Sequence, residues 1–346
     1  MKIIKNYHTL RPVFYVLTAI ALVLAVIGIR DLSSSPYLGY EASADFKVTK
    51  VNANSPAALA GLRVGDEIVA IRGTPTERLH ELSRQRRAAI GEETTLSILR
   101  ENIRHELVLR PTALPPGRAW LSWAGNVMAL VMMFLGVVIY RRRPGKSSAL
   151  YFMSNLCFAL AFLTPPYFES FALRTLISVN FLLFLTMGLA FFLHLTVVFP
   201  RPKPLIAETG IVELLIYLPA PLMAVCYLGL RWLHPGADLL INVVLRDVFA
   251  LMVASCLLLA LAAVAHSFWK GGPGEKFPIL GMLLLGSLVG ILPPTADFLS
   301  ETFLLRTTLP GDQYYFLFAI LVPMVFAYGL TKVSRAQPPT VMHDVA

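Results

Sequence analysis

Asn54-Ser55-Pro56-Ala57-Ala58-Leu59-Ala60-Gly61-Leu62-Arg63-Val64-Gly65-Asp66-Glu67-Ile68-Val69-Ala70-Ile71-Arg72-Gly73 is the stretch that decides how the water-soluble part of this chain folds. The Ser55 hydroxyl suits the cap of a short helix, Pro56 suits its first turn, and Gly61 suits its stop. Gly65-Asp66 reads as a tight turn. Glu67 to Ile71 follows as a short strand with Ile68, Val69 and Ile71 mostly buried, and Gly73 ends it.

This order of short helix, Gly-Leu, Gly-Asp, apolar strand and Gly resembles the central signature of bacterial PDZ domains. The resemblance runs from about Pro36 to Pro111. Upstream, Tyr37-Leu38-Gly39-Tyr40 looks like the family's carboxylate-binding loop, with Phe46 to Val51 as the next strand. Downstream, Glu77 to Ala89 reads as a helix carrying Leu79, Leu82 and Arg86 at i, i+3 and i+7, closed by Gly91. Thr94 to Leu99 and Glu106 to Leu109 read as the last strands, with a turn at Glu101-Asn102. The resemblance implies an α+β module that takes an extended chain end as an extra strand between loop and helix. Amides around Tyr37, Leu38, Gly39 and Tyr40 would receive its carboxylate, and Leu79 and Leu82 would line the pocket for its last side chain. A side chain at Gly39 would narrow the backbone's approach to that carboxylate. Glu41-Ala42-Ser43-Ala44-Asp45 departs from the family, being a poor strand where the groove edge belongs. A purely structural or dimerising domain is the alternative reading.

Composition sets the class of everything else. The chain of 346 residues is 56% hydrophobic and 15% charged, outside the range of a soluble protein. Its net charge of +9 does not indicate a nucleic-acid partner. From Asp31 to Gly117 there are eleven Lys and Arg against eleven Asp and Glu, so the soluble module is neutral. The excess sits in short loops between apolar segments, where membrane topology accounts for it.

Residues 1–11 are short and basic, and 12–30 form an apolar anchor long enough for a hydrocarbon core of about 30 Å. Arg30-Asp31-Leu32 offers no small-x-small cleavage pattern, so the anchor reads as retained. Linkers at Ser33–Pro36 and Ala113–Gly117 bracket the module of 36–111. Seven more apolar segments follow within 120–331: Trp120–Tyr140, Ser148–Leu163, Leu176–Phe199, Ile211–Leu230, Val243–Phe268, Phe277–Leu292 and Tyr314–Leu330. Pro293-Pro294 reads as the end of the sixth of these. A tail of 332–346 remains. With the N-terminus inside, thirteen basic residues fall on the inner side, whereas the short outer loops and helix ends among the seven later segments hold only Arg174, Arg231, Arg246 and Arg306. The expected fold class is therefore a polytopic α-helical membrane protein of about eight spans. Its PDZ module lies outside, between spans one and two, and both termini lie in the cytoplasm.

Three stretches in the membrane part carry a second resemblance: His194-Leu195-Thr196-Val197-Val198-Phe199-Pro200, the Gly281–Pro294 run, and Pro323-Met324-Val325-Phe326-Ala327-Tyr328-Gly329-Leu330. In this order they look like the multi-pass sensor region of PDZ-containing bacterial sensor histidine kinases, of the competence pheromone receptor type. The resemblance implies the bacterial inner membrane, a peptide or protein C-terminus as external ligand, and a cytoplasmic kinase or other output protein in trans. The residues after Thr331 hold neither a phosphoacceptor helix nor an ATP lid. A non-signalling envelope scaffold that recruits proteins through the PDZ groove is the alternative.

An intramembrane metalloprotease needs two His one helical turn apart with a Glu between them. No pair among His8, His80, His105, His194, His234, His266 and His343 has that spacing. Neither a serine-protease pattern nor an aspartyl dyad is present, and no matched pair of Gly/Pro-broken spans suggests a transporter. The chain is expected to be no enzyme, with no catalytic residue, metal or cofactor. Cys157, Cys226 and Cys256 read as apolar filler. His194, Arg246, Asp247 and Asp297 are the polar candidates at span ends; they either pair locally at the interfaces or, for the last three, surround an outward pocket. Reporter fusions after Gly117, Gly145, Glu169, Pro204, Pro235, Gly272, Pro310 and Ala346 should alternate out and in, starting outside. Fusions at Gly117 and Ala346 reporting one side would refute the count.

Overall fold

The computed structural model describes residues 11–32, 35–43, 46–200, 203, 210–233, 244–271, 279–300 and 312–336. The basic segment 1–10, the strand residues Ala44 and Asp45, Arg201, Lys276, Arg306 and the tail beyond 336 lie outside them. A long helix, α1 (Arg11–Leu32), leads into a small β-rich domain. Strands β1 (Pro36–Tyr37) and β8 (Thr112–Ala113) pair antiparallel, which brings the domain's entry and exit together beside the bundle. Between them run β2 (Tyr40–Ala42), β3 (Val48–Val51), α2 (Pro56–Leu59), β4 (Glu67–Ile71), β5 (Thr74–Pro75), α3 (Leu79–Arg84), β6 (Thr94–Arg100) and β7 (Ile103–Leu109).

β2 and β3 form a hairpin, while β5-β4-β6-β7 form a four-stranded antiparallel sheet. An isolated bridge from Lys47 to Glu67 joins the two. The signature stretch folds as its residues dictate. Ser55 Oγ accepts from the Ala58 N–H at 3.2 Å, and Gly61 takes φ +84° just past the helix. Ile68, Leu96 and Ile98 alternate inward to meet Val48, Ala57, Leu62 and Leu109 in one core. Glu101 and Asn102 both have positive φ, the geometry whose twist suits a two-residue hairpin between β6 and β7.

One charged pair locks the corner where α2 meets β4. Asp66 is buried, and its carboxylate accepts from Arg100 Nε and Nη2 at 2.7 Å each and from the Arg63 N–H at 2.8 Å. Arg100 Nη2 also donates to the Gly61 carbonyl at 2.8 Å. The hydrogen bond from Arg100 holds the Asp66 carboxyl below the usual carboxylate range.

The helix after β5 corrects the sequence expectation. It spans Leu79–Arg84, not Glu77–Ala89, and Gln85 leaves with ψ 142°. Arg86, expected on its face, lies beyond its end.

The remaining helices are α4 (Pro116–Arg142), α5 (Lys146–Phe162), α6 (Phe171–Val198), α7 (Gly210–Tyr217), α8 (Pro219–Leu233), α9 (Arg246–Lys270), α10 (Gly281–Leu299), α11 (Asp312–Phe318) and α12 (Leu321–Ala336). Among the described residues, six helices are long and apolar enough to cross a membrane: Tyr15–Leu32, Ala119–Arg142, Phe171–Val198, Gly210–Arg231, Arg246–Lys270 and Gly281–Leu299. The fourth of these, Gly210–Arg231, joins α7 and α8 into one stretch, interrupted at Leu218-Pro219, where proline cannot donate to the helix ladder. Pro293-Pro294 do not end α10, which continues to Leu299 and carries Asp297 within it. Helices in apolar surroundings keep such prolines because neighbours re-satisfy freed carbonyls.

α5 is packed between α4 and α6 and buries Ser148 through Phe152, Ser154 through Cys157, Ala159 and Ala161. Close packing rests on small residues. A Cβ at Gly188 would lie 2.9 Å from Phe158, one at Gly286 2.4 Å from Val325, and one at Gly290 2.6 Å from Val322. Outward faces of α1, α8 and α9 are apolar and exposed, with Val23, Val26, Leu222, Val225, Leu251 and Leu259 among them.

Because its folded pKa is depressed, Asp66 contributes stability that is complete above the unfolded carboxylate value of about 4 and is lost as pH falls through the lower folded value. Asp66→Ala leaves Arg100 unpaired and should cost about 3 kcal/mol at pH 7. Urea unfolding of residues 33–114, followed by circular dichroism, should show that loss and a flatter acid limb than in the wild type.

Candidate peptide-binding site

The loop before β2 is fixed from behind. The Leu38 carbonyl accepts from the Ala57 N–H at 3.0 Å, in the first turn of α2. The Gly39 carbonyl accepts from the Asn52 N–H at 2.9 Å and from Ser55 Oγ at 3.2 Å. A trans peptide points its N–H opposite to its carbonyl, so the amides of Gly39 and Tyr40 face away from α2. Among the described residues, the amides of Leu38 and Gly39 donate no backbone hydrogen bond.

The adjoining strand presents an edge of the same kind. Tyr40 lies opposite Val51, yet the neighbouring bond runs from Asn52 N–H to the Gly39 carbonyl, one position outside that pair. Tyr40 and Val51 are thus a non-hydrogen-bonded pair, and the Tyr40 N–H and carbonyl point to the open side of β2. The hairpin holds only β2 and β3, so that side carries no described strand. β2 is three residues long and its register shifts between Glu41 and Ala42. The Tyr40 side chain packs on the domain core, and burial pushes its hydroxyl pKa up.

Tyr37, Leu38, Gly39 and Tyr40 therefore stand together at one corner. Leu82 is half-buried on α3, which packs beside β5, and it is not part of the core that takes Leu38 and Tyr40. The Leu79 side chain lies outside the described residues.

Of the four membrane candidates, His194 lies apart from the other three. His194 is 1% exposed near the end of α6, with Nδ1 2.9 Å from the Tyr217 hydroxyl and Nε2 3.8 Å from Glu213 Oε1. Glu213 also lies 3.5 Å from Lys146 Nζ. Lys203 Nζ bonds Ser267 Oγ at 3.0 Å, tying this end of α6 to the far end of α9. Arg246 and Asp247 open α9, some 20 residues earlier and about 30 Å away along the helix. They pair with each other at 3.1 Å on the surface. Asp297 lies near the end of α10, which Phe298 brings to the start of α9 through a 6.3 Å ring contact with Phe249.

Sequence reading missed a second surface of the domain. Arg87 N–H donates to the Tyr167 hydroxyl at 2.8 Å, and Arg174 Nη2 donates to the Arg84 carbonyl at 3.1 Å. Arg84 lies over the Phe171 ring at 5.4 Å. These contacts explain the short α3. The Arg84 carbonyl bonds Arg174, and the Arg87 amide bonds Tyr167, where a continuing helix would pair them internally. The basic run Arg84-Gln85-Arg86-Arg87 and the lone Arg174 at the start of α6 are visible in the sequence, but nothing local pairs them.

A family model described as PDZ domain matches residues 47–100. The chain carries a PDZ domain there, and several apolar helices of membrane-spanning character surround it. The match begins after the Tyr37–Tyr40 loop. Among curated proteins, none matches the chain.

Gly39 has φ +83°, and a Cβ on it would lie 2.1 Å from Ser55 Cβ. Gly39→Val should therefore unfold the loop and α2, and not merely block a ligand; for the isolated domain we expect a loss of about 2 kcal/mol or more, read by urea titration.

Proposed function

We propose that this protein is a bacterial inner-membrane sensor whose PDZ domain takes a peptide or protein C-terminus outside the cell and passes its occupancy to a bundle of seven further spans. The PDZ domain supports peptide or protein binding, and the apolar helices support a multi-pass membrane protein. The observation that carries the binding reading is the Leu38–Tyr40 corner. There the carbonyls are held by α2 and β3, while amides and the Tyr40 edge are turned outward. Such a corner receives a carboxylate by backbone N–H donation and the preceding residues by strand addition. Among the described residues β2 offers Tyr40–Ala42, so the edge orders a short ligand segment, with a pocket contact on the α3 side at Leu82.

In this reading the topology has eight spans. α5, 17 residues long, is one of them, and α11 with α12 forms the last. The chain acts without catalysis, metal or cofactor, and a separate cytoplasmic protein, of kinase type, reads the bundle. A scaffold would use the same groove but would need no link between α3 and the helices.

A charge-assisted hydrogen bond contributes about 1.5–3 kcal/mol, so amidating the C-terminus of a bound peptide should weaken binding roughly tenfold or more. Full-length protein in lipid nanodiscs, screened with a C-terminal peptide library and then with amidated copies of the binders, tests this. Equal affinity for both forms would refute carboxylate capture, and a library without binders would refute the groove.

A further inference from the structure

The PDZ domain does not simply hang from its two linkers. The segment after α3 is built into the membrane part by groups from four separate places. Tyr167, in the turn between α5 and α6, accepts from Arg87 N–H at 2.8 Å and from Arg174 Nη1 at 3.2 Å. Arg174, in the first turn of α6, uses its other terminal nitrogen on the Arg84 carbonyl at 3.1 Å. Arg84 and Arg231, from the end of α8, each lie 5.4 Å from the Phe171 ring. Tyr167 N–H donates to Asp31 Oδ2 at 3.2 Å, which adds the end of α1.

The same segment is held firmly on its domain side. Arg86 makes two 2.8 Å bonds to the Glu92 carboxylate, which also accepts from the Ala89 N–H at 2.7 Å. Arg72 Nη1 donates to the Arg86 carbonyl at 3.0 Å, and Gln85 Nε2 to Thr74 Oγ1 at 2.7 Å. The hydrogen bonds from Arg86, and then that from the Ala89 N–H, hold the Glu92 carboxyl below its usual range. A displacement of α3 thus cannot be absorbed by a slack loop.

We propose that residues 84–89 form a clasp through which α3 and the first turn of α6 report on each other. The bonds are directional: Arg174 donates through one terminal nitrogen to Tyr167 and through the other to the Arg84 carbonyl, while the Tyr167 hydroxyl accepts from both sides. If α3 tilts to admit a ligand, the Arg84 carbonyl and Arg87 amide move, and Arg174 and Tyr167 must follow or lose their partners. The coupling runs in both directions by linkage. This deepens the peptide-groove reading and rests on it for the external input, because α3 is the proposed wall of that groove.

Hydrogen–deuterium exchange on the full chain in lipid nanodiscs tests the clasp without any peptide, so its failure and that of the groove are distinguishable. Arg174→Ala, a change in the bundle, should raise exchange in residues 79–89 at least threefold while β4 and β6 stay as in the wild type. Arg84→Glu with Arg87→Glu, a change in the domain, should raise exchange in residues 174–178 by a similar factor while α5 stays unchanged. Unchanged exchange at either remote segment overturns the proposal. If either variant shows a general rise that includes α5 and the sheet, Tyr167→Phe replaces it. That variant keeps the ring and alters one hydroxyl, and unchanged exchange in both 79–89 and 174–178 then overturns the proposal.

Discussion

Two backbone carbonyls organise the recognition end of this protein. Those of Leu38 and Gly39 are both held by the segment that starts α2, through Asn52, Ser55 and Ala57. Peptide planarity converts that anchoring into outward amides. The short helix in the signature stretch is thus a platform, and its serine has two tasks. Ser55 Oγ accepts from Ala58 to cap the helix and donates to Gly39 to fix the loop. Its Cβ also occupies the space next to Gly39, which is why no side chain fits there.

Asp66 performs the corresponding service on the opposite side of the platform. By gathering Arg100 and the Arg63 amide it ties the exit of α2 to β6 across 34 residues of sequence. The pair is nearly dry on the carboxylate side and bidentate, so it fixes geometry as well as charge. Loop, helix and sheet are consequently one rigid unit, and a rigid unit is what a clasp at its rim can move as a whole.

In the membrane part, the constraint is close approach. Gly188, Gly286 and Gly290 let helices meet where any side chain would collide with Phe158, Val325 or Val322. α5 is enclosed by this packing, and two of its buried hydroxyls bond backbone carbonyls of neighbouring helices. Tyr151 donates to the Pro323 carbonyl at 2.8 Å and Ser154 to the Gly188 carbonyl at 3.0 Å. Such buried bonds link α5 to both α6 and α12 and favour movement of these helices together.

Local chemistry was enough to specify the domain, its central helix-turn-strand, the glycines that stop the helix and turn the chain, and the apolar helices, because each depends on capping, chain reversal, residue period or hydrophobic length. It also marked Tyr37–Tyr40 as the candidate corner. Tertiary structure decided where α3 stops, since Arg174 and Tyr167 take the carbonyl and amide that a local reading gives to the helix. It decided that Pro293-Pro294 lie within α10, and that Arg246 pairs with Asp247 while His194 lies about a helix length away. It also gave Gly39 a packing reason in addition to a ligand reason, because only folding sets Ser55 against it. Contacts between residues 80 or more positions apart have no local signature, and they are what join this PDZ domain to its helices.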